Sequence, residues 1–220
     1  MTQALSESES KKMLASYGVP ISREVVVATA DQVADAATEL GFPVVVKLCG
    51  DTILHKTELD AVRLNLGSPD AAQAAAQELL DNGPDGAEVL VAEQVQGNRE
   101  LILGVTQDAQ FGTTLMFGVG GIFAEVLGDV VFRLLPATDD ELRSMLDDLD
   151  NPTFLDSFRG EPAVDRDALV AALSGVARCV AEHPEIDAID VNPMIVRDGL
   201  PIAVDGLIVL NATATSKETS

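Results

Sequence analysis

Tryptophan is absent from this 220-residue chain, tyrosine occurs once, and histidine and cysteine occur twice each. The two thiols, Cys49 and Cys179, stand far apart and form neither a CxxC pair nor a disulfide framework. They read as inert thiols of a reducing compartment. Positive charge is scarce: Lys and Arg number 14 against 36 Asp and Glu, for a net charge of −22. Such a chain is repelled by nucleic-acid phosphate and by anionic membrane surfaces, which argues against a general binder of either. No apolar run approaches the roughly 18–20 residues that span a bilayer. The stretch Met1–Ser10 is polar and acidic, unlike a secretory signal. The expectation is a soluble, cytoplasmic protein.

What is present is an ordinary globular balance. Hydrophobic residues make up 47% of the chain, and the mean hydropathy is +0.21. Disorder is therefore not the origin of the acidity. The length suits one domain of moderate size or two small lobes sharing a cleft. Acidic residues are spread along the whole chain and lysine occurs at only five positions, 11, 12, 47, 56 and 217. A surface of that kind suits molar salt, where the Debye length falls to about 3 Å and self-repulsion is screened. A halophilic source is expected.

Strand and helix patterns alternate throughout. Helices are expected over about 6–17, 31–40 (capped by Asp31), 69–81, 139–149 (capped by Thr138) and 165–182. Strands are expected over about 23–28, 43–48, 62–66, 87–95, 100–105, 130–135, 186–190, 194–197 and 201–209, with Arg197-Asp198-Gly199 as a hairpin turn. Several neighbouring strands read as hairpin-connected, so the fold class is α+β rather than a strict βαβ array. The boundaries are an N-terminal helix over 6–17, a first lobe over about 20–92, a second over about 93–210, and a frayed tail over 211–220. Residues 1–220 form a single domain on this reading.

Five features could carry chemistry. Lys47 sits inside an apolar strand, PVVVKL, where a lysine is costly without an anionic partner, unless it snorkels at a strand edge. His55-Lys56 lies in the loop that follows. A neutral imidazole there could attack phosphorus, though a lone loop histidine is commonly a surface residue. The other histidine, His183, is accounted for by its helix end. Glu93 and Glu100 flank Gln96-Gly97 and could orient a ribose or a metal, or form a solvated hairpin face. Gly118, Gly120 and Gly121 make a glycine-rich stretch ahead of Glu125. Such loops let amides approach phosphate, yet tight turns also need glycine, and no P-loop or dinucleotide fingerprint is present. The most distinctive feature is Asp187, Asp190, Asn192 and Asp205. A hairpin can bring Asn192 and Asp205 side by side, and oxygen ligands so placed suit Mg²⁺ with nucleotide phosphates. Together these features suggest a lysine, glycine amides and Mg²⁺ converging on a polyphosphate.

The segments PVVVKL, ILHKTE, VLVAEQV, RELILGVTQDAQFG, LMFGVGGIFAEVLGDVVFRLLP, FRG and IDAIDVNPMIV together resemble the ATP-grasp fold. The resemblance is closest to the beta subunits of ADP-forming acetate–CoA ligases, among the NDP-forming acyl-CoA synthetases. It covers nearly the whole chain and implies two α+β lobes gripping ATP. Lys47 then falls at a phosphate-contacting lysine, with Lys56 beside the nucleotide. Glu93 falls on the hinge that meets adenine and ribose, and Glu100 at the next nucleotide-binding glutamate. Gly120 and Gly121 fall on the phosphate loop. Asn192 and Asp205 fall at Mg²⁺ ligands, and His55 at a histidine phosphorylated as a relay. Arg133 and Arg159 match arginines assigned here to the phosphate path. The family's CoA and acyl sites, with a second phosphohistidine, lie on an alpha subunit or domain, so a hetero-oligomer is expected.

The sequence also departs from the family pattern. Where the family commonly reads HK-S/T-D-x-G-G-V, this chain has Asp60-Ala61 in place of the glycine pair. After Asp205 stand Gly206 and Leu207, where a small residue and arginine are usual. The implied activity is reversible: acyl-CoA + ADP + phosphate ⇌ acid + ATP + CoA. The alternatives are a ligase for an aryl, branched-chain or succinate substrate, or an ATP-sensing subunit without turnover.

Overall fold

The computed structural model describes residues 3–49, 61–121, 128–158 and 160–211. The chain divides into two compact units, one of Ser22–Val95 and one of Met1–Ile21 with Gln96–Ser220. It opens in the larger unit with a short strand, β1 (Gln3–Ala4), and helix α1 (Glu7–Ser16). A capping box starts this helix: Glu9 N–H donates to Ser6 Oγ at 3.3 Å, and Ser6 N–H donates to the Glu9 carboxylate at 3.0 Å. The Ser6 hydroxyl, which donates to the Glu9 carboxylate at 2.7 Å, and then the Ser6 N–H hold that carboxyl below its ordinary range. Gly18, in the left-handed region at φ +88°, then turns the chain out of the helix.

The smaller unit comprises β2 (Glu24–Val27), α2 (Ala30–Leu40), β3 (Val44–Cys49), β4 (Val62–Leu66), α3 (Pro69–Asn82) and β5 (Glu88–Glu93). Its sheet is antiparallel throughout, in the order β2-β5-β3-β4. Val33, Ala37 and Leu40 of α2 and Ala72, Ala76 and Leu79 of α3 are buried against Val44, Val46, Leu48, Val89 and Val91. Because side chains alternate along a strand, Val45, Lys47 and Cys49 take the face away from the helices. Asp31 is not the cap of α2. Thr29 holds that position, and Gln32 Oε1 accepts from the Ala28 and Thr29 N–H groups. Asp31 lies in the first turn and accepts from Gln73 Nε2 of α3 at 2.8 Å.

The larger unit continues with β6 (Glu100–Asp108), β7 (Gly112–Val119), β8 (Val130–Leu134), α4 (Asp139–Asp147), α5 (Arg166–Glu182), β9 (Ile186–Arg197), β10 (Leu200–Ala203) and β11 (Leu207–Leu210). The sheet order is β1-β11-β9-β6-β7-β8, with β10 also on β9, and every pairing is antiparallel. Its core joins Leu14 of α1, Leu142 and Met145 of α4, and Leu169, Leu173 and Val176 of α5 to Leu101, Leu103, Leu115, Phe117, Ile189 and Val191 of the sheet. Burying one such Leu is worth about 1.5–3 kcal/mol, so a core of this size holds the unit together.

Among the boundaries that differ from the sequence reading, two matter for the site. β9 runs unbroken through Asn192-Pro193, whereas the expected strand over 201–209 is divided at Val204–Gly206. Pro193 is tolerated because the ladder bulges there. Leu101 and Leu103 of β6 face Met194 and Val191, so three steps on β9 match two on β6. The extra residue keeps both Val191 and Met194 buried, while Asp190 and Asn192 take the other face.

Candidate nucleotide and metal site

The expected site residues are shared between the two units. Lys47 and Glu93 belong to the smaller unit, and Glu100, Gly120, Gly121, Arg133, Asn192 and Asp205 to the larger. His55, Lys56, Arg159 and Glu125 lie outside the described residues.

Asn192 and Asp205 are brought together by the division of β10 from β11. Both strands use the same edge of β9 in succession: Ala203 pairs with Met194 and Leu207 with Asp190. The intervening Val204–Gly206 segment therefore stands opposite Val191–Pro193, and Val204 N–H donates to Pro193 O at 3.1 Å. Gly206 N–H donates to Asp205 Oδ1 at 2.8 Å, which fixes the start of the carboxylate. Asp190, on the same face of β9 as Asn192, is crowded although open to solvent. Its carboxyl is raised above the usual range, first by partial loss of water and then by the negative charge of Asp205. Two mutually repelling carboxylates, with Asn192 on the same face of β9 as Asp190, are a donor set that suits a hard divalent cation. Mg²⁺ needs only one or two such protein groups, the rest being water and phosphate. Among the described residues no group of three or more His, Cys, Asp or Glu could form an all-protein metal cage.

Glu100 opens β6 and is tied to the glycine-rich turn. Gly120 N–H donates to Glu100 O at 2.8 Å. A Cβ on Gly121 would come within 3.0 Å of Glu100 Oε2, and Gly121 sits at φ +65°. Glycine is required there so that the Glu100 carboxylate can lie over the backbone. Lys47 is 8% exposed, on the helix-free face of the smaller sheet. It stands in register between Val62 and Leu90, which makes it the buried cation of an apolar strand.

Two expected site residues are used for structure. Glu93 lies on the helix side of β5. It accepts from Arg23 N–H at 3.0 Å and from the Arg23 guanidinium at 3.2 and 3.1 Å, and that guanidinium also donates to Leu40 O, the last residue of α2. Strand alternation puts its carboxylate on the face opposite Lys47. Arg133 is paired with the buried Leu115, so it too faces the helices. It donates to Ser144 Oγ of α4 at 2.9 Å and pairs with Asp148. The phosphate-path assignment of Arg133 is withdrawn on that ground.

The structure also picks out residues that the sequence reading passed over. Arg99, 5% exposed, pairs with Glu161 and donates to the carbonyls of Phe154, Asp156 and Pro162. It lines a cleft of about 330 Å³ with Gln96, Gly97 and Val196, but its donors are spent on the protein itself. Asp129, 2% exposed, accepts from the Asp150 and Asn151 N–H groups at 2.8 and 2.9 Å, fixing the entry to β8. A buried Arg beside a glutamate is visible in sequence only as one more charged dipeptide.

Comparison with known proteins shows the family. Residues 1–210 match the family described as an ATP-grasp domain. The chain belongs to the ATP-grasp family. Within it, the chain is 38% identical over 216 residues to the beta subunit of ADP-forming acetate–CoA ligase II from Pyrococcus furiosus, covering 94% of this chain and 92% of that one. It is 36% identical to ADP-forming acetate–CoA ligase II of Archaeoglobus fulgidus, covering 94% of this chain but 30% of that longer one. Among solved structures, it superposes at TM-score 0.82 and 35% identity on a Ca. Korarchaeum cryptofilum dinucleotide-forming acetyl-coenzyme A synthetase 1. The match covers 95% of this chain and 93% of that one. That structure is in complex with coenzyme A and Mg-AMPPCP, its phosphohistidine segment pointing towards the nucleotide-binding site.

Proposed function

We propose that this chain is the nucleotide-binding subunit of an ADP-forming acid–CoA ligase, most simply acetate–CoA ligase. It would work with an alpha partner that carries the CoA and acyl sites. The reaction is acyl-CoA + ADP + phosphate ⇌ acid + ATP + CoA. The observation that carries this reading is the placement of Asn192 opposite Asp205 at the divided edge of β9, in a chain whose relatives are such beta subunits.

The residue roles follow from charge. Asn192 and Asp205 would hold Mg²⁺, which when bound neutralises charge on the nucleotide phosphates. Lys47 supplies a second positive charge, and Glu100 orients the nucleotide over the Gly120-Gly121 turn. Lys56 and Arg159 complete the basic lining that so acidic a chain needs. His55 is the relay. Its ring nitrogen forms an N–P bond as the partner's phosphohistidine N–P bond breaks. That bond then breaks as a β-phosphate oxygen of ADP attacks, giving ATP and neutral imidazole. A loose transition state asks the protein mainly for alignment and neutralisation.

The acid is set by the partner, and relatives are named for several. One from Nitrosopumilus maritimus is a 4-hydroxybutyrate–CoA ligase at 32% identity. The Asp60-Ala61 departure favours a second reading, a nucleotide sensor without turnover. The acidity fits a halophilic cytoplasm, and no described helix is long and apolar enough to cross a membrane.

Phosphoryl labelling in multimolar KCl tests the proposal. The full chain is incubated with Mg²⁺ and γ-labelled ATP beside His55→Ala and Asn192→Ala. Acid-labile, base-stable label that disappears in the His55 variant supports the ligase. ATP binding with no label, even with the partner subunit present, overturns the relay and leaves the sensor.

A further inference from the structure

Helix α1 carries an ion pair that the reaction above does not use. Lys11 and Glu7 lie one turn apart, with Nζ 3.1 Å from Oε1, and their side chains are 0% and 2% exposed. A buried ion pair is weak support for stability, because the cost of desolvating both charges offsets most of their attraction. Its better-attested use is to fix one geometry, and here its surroundings show which. Lys11 Nζ donates to Val204 O at 3.3 Å, the carbonyl immediately before Asp205. The Lys11 stem also lies against the residue after it, where a Cβ on Gly206 would meet Lys11 Cγ at 3.3 Å. Two residues beyond Gly206, on β11, Ile208 N–H donates to Ser10 Oγ at 3.0 Å. Val204 N–H is meanwhile held by Pro193 O, the neighbour of Asn192.

We infer that Glu7, Ser10 and Lys11 are positioning residues for the metal-binding segment, clamping it on both sides of Asp205 so that its carboxylate stays opposite Asn192. The inference rests on the reading of Asn192 and Asp205 as Mg²⁺ ligands. It gives the N-terminal helix a task in the site although it is remote in sequence from every ligand. Lys11 holds the carbonyl side of the segment and Ser10 the amide side. Glu7, 3.1 Å from Lys11 Nζ, holds the ammonium in the direction of the Val204 carbonyl. Residues that orient metal ligands from behind commonly change metal affinity by 10–100-fold.

The test is calorimetric titration of ADP into the full chain at a series of Mg²⁺ concentrations, with amide hydrogen exchange over residues 204–208 in the absence of metal. Three variants are compared: Asp205→Asn, Ser10→Ala, and the charge-neutral pair Glu7→Gln/Lys11→Met. The expected result is that Asp205→Asn removes most of the Mg²⁺ dependence. Glu7→Gln/Lys11→Met raises the Mg²⁺ needed for half-maximal ADP affinity roughly tenfold, and Ser10→Ala shifts it less. Both clamp variants speed exchange at the Ile208 amide. If Asp205→Asn has its effect while both clamp variants keep the wild-type Mg²⁺ dependence, the clamp is refuted and the site stands. If Asp205→Asn leaves the dependence unchanged, the site reading fails and takes the clamp with it. Should the paired variant not fold, Ser10→Ala decides, because it removes one acceptor and leaves the ion pair intact.

Discussion

The two units share one construction, an antiparallel sheet with helices on a single face, and differ in what the other face carries. In the smaller unit that face holds a buried cation, Lys47, in a strand whose six residues are all buried. In the larger unit it holds oxygen donors, Asp190 and Asn192 on β9, joined by Asp205 at the divided edge. Both ladders are antiparallel, so the difference lies in which residues the alternation turns outward. On the proposed function, Lys47 would supply positive charge for a polyphosphate, and Asn192 with Asp205 the metal ligands.

The largest expected effect lies with the residue that would pass the phosphoryl group. His55→Ala should lower phosphoryl labelling by at least about 10³-fold, because no other side chain here offers a neutral imidazole at that loop. Retained acid-labile label in this variant would move the relay elsewhere and erase its link to the smaller unit.

The division of labour itself is sharpened by two substitutions read side by side. Lys47→Met should weaken ADP binding about 10–100-fold with or without Mg²⁺, since a charge-assisted contact to phosphate is lost. Asp205→Asn should weaken it only where Mg²⁺ is present. If Lys47→Met changed only the Mg²⁺-dependent part, the cation would be acting through the metal site and the contrast between the faces would collapse.

Much of this was legible in the sequence, for a physical reason that differs by element. PVVVKL announced itself because five of its six residues are apolar and the sixth is not. The cap at Thr138 was readable because capping is a local device with a fixed spacing. The division of β9's edge was not readable. Asn192-Pro193 reads as a strand end under any local rule, and only the two-against-three register with β6 makes it continuous. The side-chain directions of Glu93 and Arg133 were not readable for a related reason. A charged residue in a strand shows its period in the sequence but not which face has the helices, and both turned toward them. Arg99 was missed because burial is decided by segments distant in sequence, Phe154 to Pro162, that close over it.

Stability should also distinguish buried from exposed charge. Arg99→Ala should cost about 2–3 kcal/mol in denaturant unfolding, since it strands several carbonyls and Glu161. Arg63→Ala, which loses a pairing with the exposed Glu78 and a bond to the Val62 carbonyl, should cost no more than about 1 kcal/mol. With a net charge of −22, both proteins should gain stability as KCl rises and self-repulsion is screened.

The smallest effect concerns the seam between α1 and α5 within the larger unit, and it has a clean probe in the chain's single tyrosine. Tyr17 Oη donates to Glu182 Oε2 at 2.8 Å. That bond, with some loss of water and the negative charge of Glu182, pushes the phenol up to about 12. A raised folded-state value means the folded protein keeps a proton that the unfolded chain releases near pH 10. The bond's contribution is therefore fully present below about pH 10 and fades as pH climbs toward 12. An ultraviolet titration of the phenol should have its midpoint near 12 in the native protein. In Glu182→Gln it should fall back toward about 10, because the carboxylate charge and the strong acceptor are both gone. A native midpoint already near 10 would mean that the seam between the two helices is held by Arg178, which donates to Tyr17 O at 2.9 Å, and not by the phenol.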